Sequence, residues 1–255
     1  MNIVFIGSGN VTAILGRKFV AAGHKIMQIY SRNASAASEL AYEWDTESTN
    51  YISMITKDAD VYIISVSDNS IEPLAKELHL PGKVVAHTAG AVSKDVLQAV
   101  TPHYGVFYPL QTLRKESPHL PDTPIFVEAA TEQAQLVLDN LAATISHNHE
   151  VHHVTELQRE KLHVTAVVVN NLVNHLYTLV EAFCKAEGVD FKQLLPLIQE
   201  TTERVNNSSP ALVQTGPAIR HDEVTLNKHL ELLHNYPQLK KIYKTISDSI
   251  EGKAL

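Results

Sequence analysis

The chain has 255 residues, of which 44% are hydrophobic and 19% charged, and it carries a formal net charge of −7. That length and apolar fraction suit one large globular domain or two moderate ones. The acidic balance, with no basic stripe, argues against a nucleic-acid or anionic-membrane surface, since both need clustered cations. Cys184 is the only cysteine; it excludes an intrachain disulfide and a cysteine-only metal site, and fits a small buried apolar residue in a reducing cytoplasm. The first apolar run is too short, and too lacking in charge before it, for a secretory or membrane segment.

The chain opens Met1-Asn2-Ile3-Val4-Phe5-Ile6-Gly7-Ser8-Gly9-Asn10, a short apolar strand over 2–6 running into a Gly-x-Gly turn. Gly7 can end the strand tightly, and Gly9 lets a pyrophosphate approach the backbone. Residues 10–22 then place Val11, Ile14, Leu15, Phe19 and Val20 at helical spacing, so free N–H groups of the first turn would meet phosphate. The third glycine of the dinucleotide fingerprint is replaced by Thr12, so helix and strand must separate slightly or the hydroxyl must find a partner. A second strand, 25–30, ends at Ser31-Arg32-Asn33, with no carboxylate to accept from a ribose 2′-hydroxyl. A guanidinium there suits a 2′-phosphate, which favours NADP over NAD. Taken alone, Arg32 is equally a solvated cation at a helix start.

Further strands are expected over 61–66, 83–87, 105–107, 125–128 and 144–146, alternating with helical stretches and the Leu80-Pro81-Gly82 turn. This is the pattern of an α/β, Rossmann-type doubly wound parallel sheet. Ligands in such sheets sit beyond the carboxyl ends of the strands. Ser65-Val66-Ser67-Asp68-Asn69-Ser70 can therefore touch a nicotinamide ribose or cap the next helix. His87-Thr88-Ala89-Gly90 either borders the nicotinamide or makes a tight turn. Gln111 and Thr112, after a proline-fixed bend, either face a substrate or begin a loop. The expected cofactor-binding set is Gly7, Ser8, Gly9, Asn10, Val11, Ser31, Arg32, Ser65, Val66, Ser67 and Thr88.

Beyond about residue 150 strand signals fade. Residues 1–150 read as a nucleotide-binding domain and 151–255 as an all-helical substrate and dimerisation domain. Residues 155–187 lack Pro and Gly and read as one long, largely buried helix. On it His163, Asn170, Asn174 and Glu181 fall on one face at 3.6 residues per turn, with Asn171 on the shoulder. Such a stripe meets either a hydrogen-bonded seam or a ligand; His163 and Asn171 suit a cleft as well as a seam. Downstream, Asp222 would cap a helix carrying Thr225 and His229, and Arg220 would bind a substrate carboxylate or pair with Asp222.

Gly7-Ser8-Gly9-Asn10, Ser65-Val66-Ser67-Asp68, His87-Thr88-Ala89-Gly90, Phe107-Tyr108-Pro109-Leu110-Gln111-Thr112, His163 with Asn171, and Thr215-Gly216-Pro217 with Arg220 and Asp222 together resemble a bacterial family. It pairs a Rossmann-like NADP-binding domain with a C-terminal domain of unknown function, and the resemblance spans nearly the whole chain. The family is similar to pyrroline-5-carboxylate reductase, deazaflavin-dependent NADP reductase and the 3-hydroxyacid dehydrogenases. The resemblance implies a helical dimerisation domain and a cleft between domains, but no substrate; a homodimer is expected because the long apolar helix needs more covering surface than one chain supplies. The Lys-x-x-x-Asn pair of the hydroxyacid dehydrogenases is broken here by Ala166 before Asn170, Lys161 projects away from the His163 face, and the reductases' Ser-Gly-Ser-Gly-Pro-Ala run is missing.

The expected function is an NADP-dependent oxidoreductase that passes hydride between nicotinamide and a small carbonyl or imine. His163 would be the proton donor, and Asn171 or Gln111 would orient the reacting atom. A non-catalytic NADP-binding sensor keeps the same cofactor residues. A metal hydrolase built on His147, His149, His152 and His153 lacks a helical i, i+4 ligand pair, and a solvated loop accounts for those residues better.

Overall fold

The computed structural model describes residues 1–253. They divide into two compact units, Met1–Ala166 and the residues from Val167 onward, rather than near residue 150.

The first unit alternates strand and helix as the apolar pattern requires: β1 Asn2–Ile6, α1 Asn10–Ala21, β2 Lys25–Tyr30, α2 Ala34–Glu43, β3 Glu47–Thr49, β4 Val61–Ile64, α3 Asp68–Glu77, β5 Val84–His87, β6 His103–Pro109, β7 Ile125–Ala129, α4 Glu132–Ala143, β8 Val151–His153 and α5 Glu156–Ala166. The strands form one eight-stranded sheet ordered β3-β2-β1-β4-β5-β6-β7-β8. All neighbours are parallel except β6 and β7. This is a Rossmann-like α/β fold.

Successive strand residues point to opposite faces, and here both faces are covered. Ile3 and Phe5 join α1 and α4 in one apolar layer, while Val4 and Ile6 join Ile71 and Ala75 of α3 in the other. A strand buried on both sides reads as an unbroken apolar run, which is why β1, β4 and β5 were visible in the sequence.

Two strand expectations need correction. Residues 144–146 form no strand: their N–H groups return to Leu141 and Ala142 carbonyls and close the end of α4, and the strand lies instead at β8. A run this short, with Ile145 as its one apolar residue, cannot be told from a helix end by periodicity alone. Strand β3 was not anticipated; it is a three-residue polar edge strand, too short to show a period.

The second unit continues from a π-helical segment, Val167–Leu172, through α6 Val173–Glu187, α7 Leu195–Asn207, α8 Glu223–Leu232 and α9 Pro237–Ile250. The run 155–187 is therefore not one uniform helix. Bonding i→i+5 in the π segment breaks the 3.6-residue period on which the polar stripe was drawn. Nor is the run largely buried: Arg159 and Cys184 are its buried residues, whereas Val168, Val169 and Leu172 are more than half exposed. The apolar pattern marks a face to be covered without naming what covers it.

Candidate functional site

The cleft at the carboxyl end of β1 is made of backbone and short side chains. Gly7 ends the strand with φ +127°, and its N–H donates to the Tyr30 carbonyl at 2.8 Å. A Cβ at Gly7 would lie 2.2 Å from the Ser65 carbonyl oxygen, so only glycine fits between β1 and the end of β4. Thr12 answers the missing third glycine. Its buried hydroxyl donates to the Gly7 carbonyl at 3.0 Å and bonds the Ser65 hydroxyl. The turn and both strand ends are thus tied together where a glycine would merely pack. Gly9 precedes α1 with no side-chain cap and with open space at its Cβ position.

Around this turn lies a cleft of roughly 660 Å³, bounded by Gly7, Ser8, Gly9, Ser31, Arg32, Ser65, Val66 and Ser67. Eight of the expected cofactor residues therefore share one cavity. Ser8 and Ser31 bond each other through their hydroxyls at 2.8 Å. Arg32 is exposed and makes no hydrogen bond or ion pair among the described residues. Ser67 bonds Asn69 and Ser70 across the start of α3.

The other three expected residues are placed differently. Asn10 turns to the 110–123 loop and accepts from the Lys115 N–H at 3.1 Å. Val11 packs against the apolar layer. Thr88 is buried, with its N–H bonded to the Ile64 carbonyl at 3.1 Å. Sequence reasoning missed Asn33, Pro73, Leu74 and Glu77, which line the same cleft but sit past the turn residues that signal it.

A second group gathers at the carboxyl ends of β5 and β6. Tyr108, near the end of β6 and 7% exposed, has its hydroxyl 3.1 Å from His163 Nδ1. The His163 ring lies against Gly90, where an added Cβ would come within 2.5 Å of Nδ1. Arg159, one turn earlier on α5, is fully buried. It donates to the carbonyls of Ala89 at 3.2 Å and Gly90 at 2.7 Å, and to Glu128 Oε2 at 3.2 Å. Lys94 reaches the other Glu128 oxygen at 3.4 Å.

His87 is fully buried. Burial outweighs its bond to the Ser93 carbonyl, and nearby Arg159 adds to the effect, so its pKa falls to about 4. The Ala89 N–H can only donate, so His87 Nδ1 accepts and Nε2–H donates to Ser93. Burial raises the Tyr108 phenol, with Arg159 opposing and Asp68 adding to the rise. In the sequence Tyr108 figured only in the Phe107–Thr112 run and nothing singled out Arg159; Arg159 shares a helix face with His163 by its i, i+4 spacing, whereas no spacing rule links Tyr108 to His163.

Gln111 is occupied at both ends of its amide: Nε2 donates to the Asp122 carbonyl at 2.8 Å and Oε1 accepts from Thr112 N–H at 2.9 Å. Asn171 lies exposed on the π segment of the second unit. There, Asp222 caps α8 through Thr225, and His229 bonds the Tyr243 hydroxyl at 2.8 Å. Cys184 is buried, as expected. Among the described residues no three His, Cys, Asp or Glu side chains gather to hold a metal. His149 bonds the Ala143 carbonyl, His152 stacks on Phe126 and His153 pairs with Asp139. Among the described residues no helix is long and apolar enough to cross a membrane.

With these two groups of residues described, comparison with known proteins decides the family. Residues 2–89 match the model of the NADP oxidoreductase, coenzyme F420-dependent family, and residues 123–250 match the domain of unknown function DUF2520. The chain belongs to the DUF2520 family of NADP oxidoreductase-like proteins. It is 35% identical, over 99% of its own length and 98% of the other chain, to a Bacteroides fragilis protein provisionally described as an NADP oxidoreductase, with a TM-score of 0.91.

More distant solved structures share the fold. They include a pyrroline-5-carboxylate reductase from Streptococcus pyogenes, at 14% identity, 99% and 98% coverage and a TM-score of 0.61. An Aspergillus terreus reductive aminase in complex with NADPH and ethyl levulinate matches at 15% identity, 98% and 92% coverage and a TM-score of 0.73. No curated protein matches the chain.

Proposed function

We propose that this family member is an NADP-dependent reductase acting on a small carbonyl or imine. The observation that carries the reading is the pairing of an open cleft at the Gly7–Gly9 turn with a Tyr108–His163 couple on the same carboxyl edge of the sheet. The residues present suit the cofactor: the Gly7 position excludes any Cβ, the start of α1 is uncapped, and Arg32 is an unspent cation for a 2′-phosphate. Ser8, Ser31 and the residues after β4 would hold the ribose and phosphate oxygens. Bound NADPH supplies the hydride.

The protein's own part is to bind, orient and protonate. Tyr108 engages His163 Nδ1, leaving Nε2 as the nitrogen available to give a proton to the substrate oxygen or nitrogen. Histidine is the side chain that most often fills such a role. The bond to Tyr108 fixes the ring's orientation, as a proton donor requires. We extend the proposal to a cytoplasmic homodimer, in which a second copy covers apolar residues of the second unit such as Val169, Leu197 and Leu212; light scattering checks it.

The test is NADPH oxidation by the purified protein against a panel of small carbonyls and imines. Turnover that is lost in His163→Ala, with NADPH affinity retained, supports the reading. NADPH binding with no turnover anywhere in the panel is the result expected of a sensor.

A further inference from the structure

We propose that Arg159 is a positioning residue that sets the place of His163 through the Thr88–Gly90 loop. This inference rests on the reading of His163 as proton donor. Arg159 and His163 are four residues apart on α5 and so share one face of the helix. Both meet the same short loop. The guanidinium grips the carbonyls of Ala89 and Gly90, and the imidazole lies on the bare α-carbon of Gly90.

The cost of this arrangement argues for a purpose beyond stability. Arg159 is fully buried, its Nε has no partner among the described residues, and the carboxylate it pairs with, Glu128, is shared with Lys94. A buried guanidinium with an unfilled donor is a poor stabiliser compared with apolar packing. What it does supply is a rigid planar fork that a lysine or an apolar side chain cannot reproduce. Its Nη1 arm holds both loop carbonyls while its Nη2 arm holds Glu128, which fixes the loop against the helix that carries His163.

The loop is braced from its other side as well. Neutral His87 accepts from the Ala89 N–H and donates to Ser93, and Ser93 donates to Glu156 at the start of α5 at 2.6 Å. Loop and helix are therefore fixed to each other at both ends of the first turns of α5, and Gly90 is where His163 feels that fit. A shift of about 1 Å at such a site can cost roughly 10²-fold in rate.

Two variants of the full chain test the two links. Arg159→Lys keeps the charge and loses the fork; Gly90→Ala keeps the fork and puts a Cβ into the ring's place. The readouts are the ¹⁵N imidazole resonances of His163 and their titration, NADPH affinity, and kcat on whichever panel substrate is turned over. In both variants the His163 resonances and titration should move while those of His24 and His229 stay, NADPH affinity should hold, and kcat should fall by roughly 10²-fold.

A folded Arg159→Lys protein with an unmoved His163 spectrum overturns the proposal, and so does an unmoved spectrum in Gly90→Ala. If Arg159→Lys fails to fold, the Gly90→Ala spectrum decides whether the loop sets the ring. Should His163→Ala retain turnover, the donor reading fails instead, and the spectra still report whether the loop places the ring.

Discussion

The cleft at the end of β1 and the cluster around His163 lie on one edge of one sheet, yet they are made of opposite materials. The cleft presents glycine backbone, serine hydroxyls and one exposed arginine to an open cavity. The cluster packs a buried arginine, a buried tyrosine and a buried neutral histidine behind a single partly exposed imidazole. A surface that binds a large polyanion needs accessible N–H groups and room. A group that must deliver a proton needs a fixed ring. The first should tolerate changes of side chain except where backbone shape is at stake; the second should be sensitive to loss of almost any member.

The contrast is sharpest at His163. His163→Ala should lower kcat by roughly 10²- to 10⁴-fold and leave the NADPH dissociation constant nearly unchanged; equal loss of both would erase the distinction between the two regions. His87 probes the stability of the cluster. Its pKa is depressed to about 4 from 6.5, so the unfolded chain takes up the proton first as pH falls. The stabilisation it confers is complete above about pH 6.5 and is lost progressively down to pH 4, amounting to about 3 kcal/mol. Urea unfolding between those limits should show this slope, and His87→Gln should flatten it.

On the cleft side, Gly7→Ala forces a side chain into positive φ and against Ser65. It should cost about 2 kcal/mol of stability and abolish measurable NADPH binding. Normal NADPH binding by the Gly7→Ala protein would show that the turn is not the phosphate cradle. The smallest effect belongs to Arg32→Ala. It should weaken NADPH by roughly ten- to a hundred-fold, the worth of hydrogen bonds to a charged group, and leave NADH unchanged.

The same contrast explains what could be read from the sequence. The cleft announced itself because its requirements are local: a strand, Gly7 and Gly9, a helix, and a cation after the second strand all lie within thirty-two residues of the start. Thr12 is a partial exception, since the break in the fingerprint was visible but the Ser65 hydroxyl that completes it was not. The cluster was mostly hidden. His163 was singled out for its helical face and its chemistry, but Tyr108 is fifty-five positions away and Arg159 meets loop carbonyls about seventy positions away. Only the fold brings them together. Gln111 fits the chemical type expected at a substrate site, yet it spends its amide on its own loop, which no side-chain inventory reveals.

The helical region fails in a third way. The sequence pattern placed a helix over 155–187, and α6 ends where that run ends, at Gly188, whose φ of +70° is the left-handed conformation that ends a helix. It could not show the π segment, because an i→i+5 turn leaves the residue types unchanged. It also could not tell a face covered within the chain from one covered by another molecule. Val169 and Leu212 are as apolar as any residue of β1, and they are 71% and 84% exposed.

The central claim is that the β1 cleft is an NADP site with Arg32 as the discriminating group. Calorimetric titration of NADPH and NADH into the wild-type protein and Arg32→Ala tests it most directly. The account predicts that NADPH binds more tightly than NADH to the wild type and that this preference largely disappears in the variant. Equal affinity for both nucleotides in the wild type, or no binding of either, would contradict it.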